Sequence, residues 1–187
     1  MKLLITLVVL SGLWGCGATD ESPDAPSRME VRTEALEPFV CGSTQPVHTF
    51  AGIYLAGQPS GTDFELAEAD GVRTVINLRM PQEQEDFDEA GIVTGLGMTY
   101  ISLPWNGPDA LTDDVFDRAR EMFNTAERPM MVHCGSANRV GAVWIPWRVL
   151  DGGVSFEAAL TEARTMGLRT PAYIDRARSY IGEYGAR

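Results

Sequence analysis

Basic residues are scarce in this 187-residue chain: 15 Lys and Arg face 26 Asp and Glu, a formal charge of −11. A surface of that sign repels polyanions, which argues against nucleic acid or an anionic membrane as a partner, and an anionic ligand would need a local positive site. Cysteine is scarce too. Cys16, Cys41 and Cys134 are too few and too far apart for a disulfide scaffold or a closed zinc site. The apolar run over residues 3–10 is too short to span a bilayer, and no repeat or low-complexity run interrupts residues 39–187. What remains is an ordinary globular composition, 44% hydrophobic, 22% charged and 9% aromatic. It excludes a disordered, collagen-like or multi-span chain, and the length suits one domain with a sizeable core.

Residues 1–15, MKLLITLVVLSGLWG, run from one Lys through an apolar stretch to small residues, the layout of a removable secretory signal. The ending Leu13-Trp14-Gly15-Cys16 resembles the lipobox of bacterial lipoproteins, which implies that Cys16 becomes the lipidated first residue of the mature chain. The plainer alternative is a secretory signal cut nearby. Gly17 resembles an outer-membrane sorting pattern, so the expected location is the bacterial cell envelope, with a lipid anchor on the outer membrane facing the periplasm. Residues 16–38 are rich in Asp, Glu, Ser and Pro and read as a flexible tether, leaving residues 39–187 as a single domain.

Strand and helix signals alternate through that domain. Residues 53–56 form a short strand, and Thr62 with Glu65 makes a capping box for a helix that Gly71 stops. Residues 72–78 are β-branched and apolar, as in a buried strand; Pro81 opens an acidic helix that Gly91 can end. Residues 98–103 are the next strand, and Thr112 caps a helix with Val115, Ala119, Met122 and Phe123 on one face. Residues 130–133 form another strand, residues 140–150 a helix that Pro146 should kink, and residues 155–166 and 171–183 two more helices. This alternation predicts an α/β fold with a mostly parallel central sheet flanked by helices.

The chemistry is concentrated after residues 130–133, in Cys134-Gly135-Ser136-Ala137-Asn138-Arg139. A loop from a strand's carboxyl end to a helix N-terminus gathers backbone N–H groups at the positive end of the helix dipole, which suits an oxyanion. The same N–H groups and Arg139 favour the thiolate of Cys134, its nucleophilic form. Arg139 offers a fork of donors that can hold two oxygens of a phosphate, and Gly135 permits close backbone approach. His133 reads as a packed side chain bonded to the loop backbone and fixing its shape.

Val132-His133-Cys134-Gly135-Ser136-Ala137-Asn138-Arg139-Val140-Gly141 resembles the signature loop of cysteine-dependent phosphatases of the tyrosine and dual-specificity kind. Ile53-Tyr54-Leu55-Ala56-Gly57-Gln58-Pro59 and Val75-Ile76-Asn77-Leu78-Arg79 extend the resemblance, in order over residues 50–166, to bacterial phosphatase-like domains of the beta-lactamase-hydrolase-like group. The usual phosphatase loop has five residues between Cys and Arg; here there are four, a spacing also found in that group. The shorter loop also resembles the sulfur-transfer loop of rhodaneses.

The resemblance implies a three-layer phosphatase-like fold and hydrolysis of a phosphate monoester, on a protein or a small molecule, without metal or cofactor. Cys134 would attack phosphorus, while Arg139 and the loop residues Gly135, Ser136, Ala137 and Asn138 hold the phosphate. An Asp on the loop after the preceding strand would protonate the leaving oxygen. Asp109 is the first candidate, with Asp113 and Asp114 as alternatives that could equally serve only the helix N-terminus. A sulfurtransferase and a non-catalytic phosphate-binding module stand as the other readings. Arg79 could add charge to the pocket or make a surface salt bridge. Cys41 could form a reversible disulfide with Cys134 or pack in the core, and His48 reads as a partly buried side chain. Trp105 could wall a pocket, whereas Trp144 and Trp147 read as core.

Overall fold

A computed structural model describes residues 35–84 and 88–184. The expected signal, Cys16 and residues 17–34 of the expected tether lie outside the described residues. The sheet has six strands, β1 (Glu37–Pro38), β2 (Val47–Phe50), β3 (Ile53–Ala56), β4 (Thr74–Asn77), β5 (Thr99–Ser102) and β6 (Met130–His133). Their spatial order is β1-β2-β3-β6-β4-β5; β1, β2 and β3 pair antiparallel, while β3, β6, β4 and β5 run parallel. The helices are α1 (Gly61–Ala69), α2 (Glu89–Gly95), α3 (Asp113–Thr125), α4 (Asn138–Leu150), α5 (Phe156–Met166) and α6 (Pro171–Tyr184).

The three central strands β3, β4 and β6 are buried along their whole lengths, so their residues are largely apolar on both faces. The pleat then sorts side chains between two cores. Tyr54, Val75 and Met131 join Phe64, Ala67 and Val93 beneath α1 and α2, while Leu55, Ile76 and Val132 join Phe116, Phe123, Trp144 and Tyr180 beneath α3 to α6. Helix α4 lies at the centre of the second layer against α3, α5 and α6, and its residues 139–147 are all buried. Trp144 and Trp147 pack edge-on against Phe50, core residues as expected.

Local signals hold in most places and shift in two. Thr112 accepts from the Val115 amide at 3.4 Å and caps α3, whose buried face carries Val115, Phe116, Ala119 and Phe123, and Met122 is partly buried beside it. The capping box of α1, however, is Ser60 with Asp63, not Thr62 with Glu65. Asp63 is recruited because its carboxylate also accepts from the Ser43 amide and from the Ser43 and Thr44 hydroxyls, bonds an exposed Glu65 could not make. The acidic helix expected from Pro81 to Gly91 is instead a 3-10 turn, Pro81–Glu83, followed by α2 capped by Asp88. Gly91 sits inside the first turn of α2. Its amide donates to Asp88 at 2.9 Å, and a Cβ there would meet Asp88 Oδ2 at 2.2 Å, so the glycine serves the cap rather than the stop.

Candidate active site

The parallel strands β3, β4, β5 and β6 deliver their carboxyl ends to one edge of the sheet, where an α/β fold presents its binding crevice. The loop from β6 to α4 occupies that edge. Its start is pinned on both sides: the Cys134 amide donates to the Ala56 carbonyl at 3.3 Å, the Leu78 amide donates to the His133 carbonyl at 3.0 Å, and Gly57 bridges Ser136. Gly57 is required, since a Cβ there would come within 2.1 Å of the Gln45 carbonyl oxygen.

Strand alternation sends His133 and Cys134 to opposite faces. Cys134 is 1% exposed within the α3 to α6 core, at the floor of the loop. Gly135 is exposed, and a Cβ there would meet no protein atom within 4 Å, so crowding by the protein does not select glycine. Ala137 takes the left-handed conformation, φ 56°, at the N-cap of α4, costing on the order of 1 kcal/mol for a residue with a Cβ. Among the described residues no side chain caps α4, so its first-turn N–H groups keep their donor capacity beside the loop.

The geometry of Arg139 refines the sequence expectation. Its two terminal nitrogens are engaged: Nη1 donates to Glu83 Oε2 at 2.7 Å, to the Trp105 carbonyl at 3.0 Å and to the Leu78 carbonyl at 3.2 Å, and Nη2 donates to Glu83 Oε1 at 2.7 Å. The other edge, Nε and one Nη2 hydrogen, has no oxygen acceptor among the described residues and is itself a two-donor fork. Burial opposes the charge of Arg139, but Glu83 and the neighbouring Cys134 outweigh it, so its pKa is raised. The same pairing holds the Glu83 carboxyl below its usual range.

His133 does not bond to the loop backbone through its ring as expected. Its Nε2 meets Glu89 Oε1 at 2.9 Å, with both side chains buried on the α1 and α2 side. Asn77 donates to the same carboxylate oxygen at 2.6 Å and Gln58 to the other at 2.8 Å. Asn77 Nδ2 also reaches the Tyr100 hydroxyl at 2.9 Å, and Arg79 Nη1 donates to Gln58 Oε1 at 2.6 Å. Arg79 thus belongs to a polar network beneath the loop, and it makes no ion pair among the described residues. Nothing in the acidic helix expected from Pro81 to Gly91 singles out Glu83 or Glu89; no local pattern marks carboxylates whose partners Arg139 and His133 lie 56 and 44 residues away.

Beyond β5, Trp105 is buried with its ring edge-on to Tyr173 at 5.0 Å, and the Gly107 amide donates to the Tyr173 hydroxyl at 3.2 Å. Trp105 therefore supports Arg139 and this loop from within the core. Asp109 stands on the 3-10 turn Pro108–Ala110, exposed and with no hydrogen bond or ion pair among the described residues. Asp113 is paired with Arg176 at 3.1 Å, and Asp114 lies in the first turn of α3. Cys41 and Cys134 are both free and belong to different cores. The Cys41 thiol donates to the Asp63 carbonyl at 3.6 Å, and burial, with Asp63 and Asp70 nearby, pushes its pKa up to about 11, a packed thiol rather than a reactive one. His48 is half-buried in β2, and burial lowers its pKa.

No family model matches the chain. The beta-lactamase hydrolase-like protein of Agrobacterium fabrum is 29% identical over 104 residues, 54% of this chain and 24% of that protein. OCA1 of Debaryomyces hansenii, named as a candidate tyrosine-protein phosphatase, is 28% identical over 112 residues, 54% of this chain and 56% of that protein. The chain thus spans about a quarter and about half of these two relatives. Among solved structures, P. aeruginosa TpbA matches with a TM-score of 0.62 and 22% identity, covering 81% of this chain and 92% of that one. PTPMT1 in complex with PI(5)P matches with a TM-score of 0.61 and 14% identity, covering 72% and 93%. These structures show the three-layer phosphatase-like fold, and the two sequence relatives, one beta-lactamase hydrolase-like and one named for tyrosine-protein phosphatase activity, are what the chain is similar to in sequence.

Proposed function

We propose that the protein hydrolyses a phosphate monoester through a thiophosphoryl intermediate on Cys134. The observation that carries this reading is the half-engaged Arg139: one edge is locked on Glu83, and the edge that remains is a fork beside the Cys134 loop. In the proposed step the Cys134 thiolate attacks phosphorus and the phosphorus–oxygen ester bond breaks. The leaving oxygen takes its proton from the Asp109 carboxyl. Arg139 Nε and Nη2, with the N–H groups at the start of α4, hold the equatorial oxygens as their charge grows. Water then attacks the thiophosphate, its proton passes to the Asp109 carboxylate, and inorganic phosphate leaves with the thiolate restored. The TpbA structure in complex with pTyr and the PTPMT1 complex with PI(5)P carry phosphorylated ligands on this fold, which supports the substrate class.

The test is phosphate release from a small aryl phosphate by the full chain in mild detergent, under reducing conditions, comparing wild type with Cys134→Ser. Hydrolysis by the wild type that the variant loses is the expected result. A folded wild type that releases no phosphate overturns the proposal, and turnover of thiosulfate in its place would move the chain to sulfur transfer. Export and lipidation at Cys16 complete the proposed picture; Cys16→Ala should release the protein from the membrane fraction, and retention would contradict the anchor.

A further inference from the structure

Arg169, on the rim of the loop, lies outside the signature and makes no ion pair among the described residues. The segment after α5 is clipped onto the loop: Asn138 Oδ1 accepts from the Arg169 amide at 2.8 Å and the Thr170 amide at 3.3 Å, and Asn138 Nδ2 donates to Thr170 Oγ1 at 2.9 Å. Gly167, at φ 135°, lies so close that a Cβ would meet the Ser136 carbonyl oxygen at 2.8 Å. This clip places the Arg169 guanidinium on the rim, where Nη2 donates to Ser136 Oγ at 2.9 Å and Nη1 to the Gly167 carbonyl at 3.3 Å.

Both acceptors are neutral, and Arg169 is exposed. Arg120, Arg139, Arg148, Arg176 and Arg178 each bind a carboxylate, whereas Arg169 on the rim, like Arg79 beneath the loop, has none within ion-pair distance among the described residues. In a chain of formal charge −11, a guanidinium held beside the loop with no carboxylate partner among the described residues adds positive charge where an anion would bind. Its remaining N–H donors form a planar array suited to an oxyanion, at a place where the loop itself already takes the scissile phosphate.

We propose that Arg169 is a specificity residue that binds a second anionic group on the substrate, so that the preferred ligand is a phosphate monoester bearing another phosphate or carboxylate. This rests on the phosphatase reading above, because it takes the loop as the seat of the first phosphate. The guanidinium adds binding energy only for ligands that reach the rim, and a lone phosphate gains little from it.

The test is calorimetric titration of the full chain in mild detergent with inorganic phosphate and with methylenebisphosphonate, in wild type, Arg169→Gln and Arg169→Lys. The expected wild-type result is about tenfold tighter binding of the bisphosphonate. Arg169→Gln should bring the two affinities together, and Arg169→Lys should keep part of the preference. If Arg169 merely orders the loop through Ser136, the glutamine variant loses affinity for both anions in proportion and the ratio stands, which overturns the proposal. A wild type with no preference also overturns it while leaving the phosphatase reading intact. Failure of wild type to bind either anion, with no phosphate release from an aryl ester, overturns both.

Discussion

Glu83 grips Arg139 with both carboxylate oxygens, each 2.7 Å from a different terminal nitrogen of the guanidinium. The pairing turns one edge of the fork away from ligand and aims the other. Glu83 is itself held by the Met80 amide at 2.8 Å, so the aim is set by the backbone of the 3-10 turn Pro81–Glu83. Glu83→Gln keeps the shape and one acceptor but loses the charge-assisted pair. It should lower turnover of an aryl phosphate by roughly tenfold to a hundredfold, the scale expected when a reacting group is misplaced by about an ångström. Steady-state kinetics check this, and an unchanged rate would remove Glu83 from the machinery.

The pH dependence follows from the same pair. Arg139 depresses the Glu83 pKa in the folded chain, so the pair stabilises the fold above the unfolded carboxylate pKa, about 4.3, and that contribution is lost as pH falls through the folded value. The stability gap between wild type and Glu83→Gln, measured by urea unfolding, should be constant near neutrality and close in acid. A gap that widens in acid would contradict the sign.

The network below the loop makes a harsher prediction. Glu89 accepts from Asn77, Gln58 and the His133 ring in a buried setting; burial would raise its pKa, but His133, Gln58 and Tyr100 outweigh it and the net shift is down. Glu89→Leu leaves the Asn77 amide and the His133 ring without their partner, costing about 3–5 kcal/mol, whereas Glu89→Gln keeps an acceptor and costs about 1–3 kcal/mol. Urea unfolding measures both, and equal small losses would mean that the network is not a support. Because the folded pKa of Glu89 is depressed, its contribution too is present above the unfolded pKa and fades in acid.

What could be read along the chain was what is local. The strand over residues 130–133 and the loop that follows it are contiguous, and the structure has β6 at those same residues with the loop at its carboxyl end. The alternation of elements was equally legible, because burial on both faces keeps β4 and β6 largely apolar. The supports were not. Glu83, Glu89 and Arg169 each depend on a partner far away in the chain: Arg139 lies 56 residues from Glu83, His133 lies 44 from Glu89, and Asn138 lies 31 from Arg169. His133 was placed correctly beside Cys134, yet its partner could not be read, because the pleat turns its ring through the sheet to a helix that the sequence pattern had placed differently.

Gly167 offers a test of the clip without touching a charged group. Alanine there would bring a Cβ to 2.8 Å from the Ser136 carbonyl, in a backbone conformation, φ 135°, that residues with side chains seldom adopt. Gly167→Ala should destabilise the fold by about 1–3 kcal/mol and weaken binding of inorganic phosphate, since the strain is relieved most easily by moving the loop. Thermal unfolding and phosphate titration together check it; lost stability with unaltered phosphate affinity would mean that the strain is absorbed after α5.

Asp109 can be separated from its neighbours by leaving-group dependence. A general acid matters most where the departing oxygen is strongly basic and least where it leaves readily as an anion. Asp109→Asn should therefore slow hydrolysis of an unactivated alkyl or phenyl phosphate by roughly a hundredfold or more, and slow para-nitrophenyl phosphate far less. Asp113→Asn breaks the 3.1 Å pair with Arg176, which is about one-third exposed on each side, so its cost in stability is small and it carries no such leaving-group signature. Asp114 lies in the first turn of α3, where its charge favours the helix terminus. If the signature followed Asp114→Asn instead, the proton donor would sit on α3 rather than on the turn at Pro108–Ala110. The exposure of Asp109, with no partner among the described residues, is what favours the turn: a carboxylate tied up in the fold has less freedom to follow a leaving oxygen, and Asp113 is so tied.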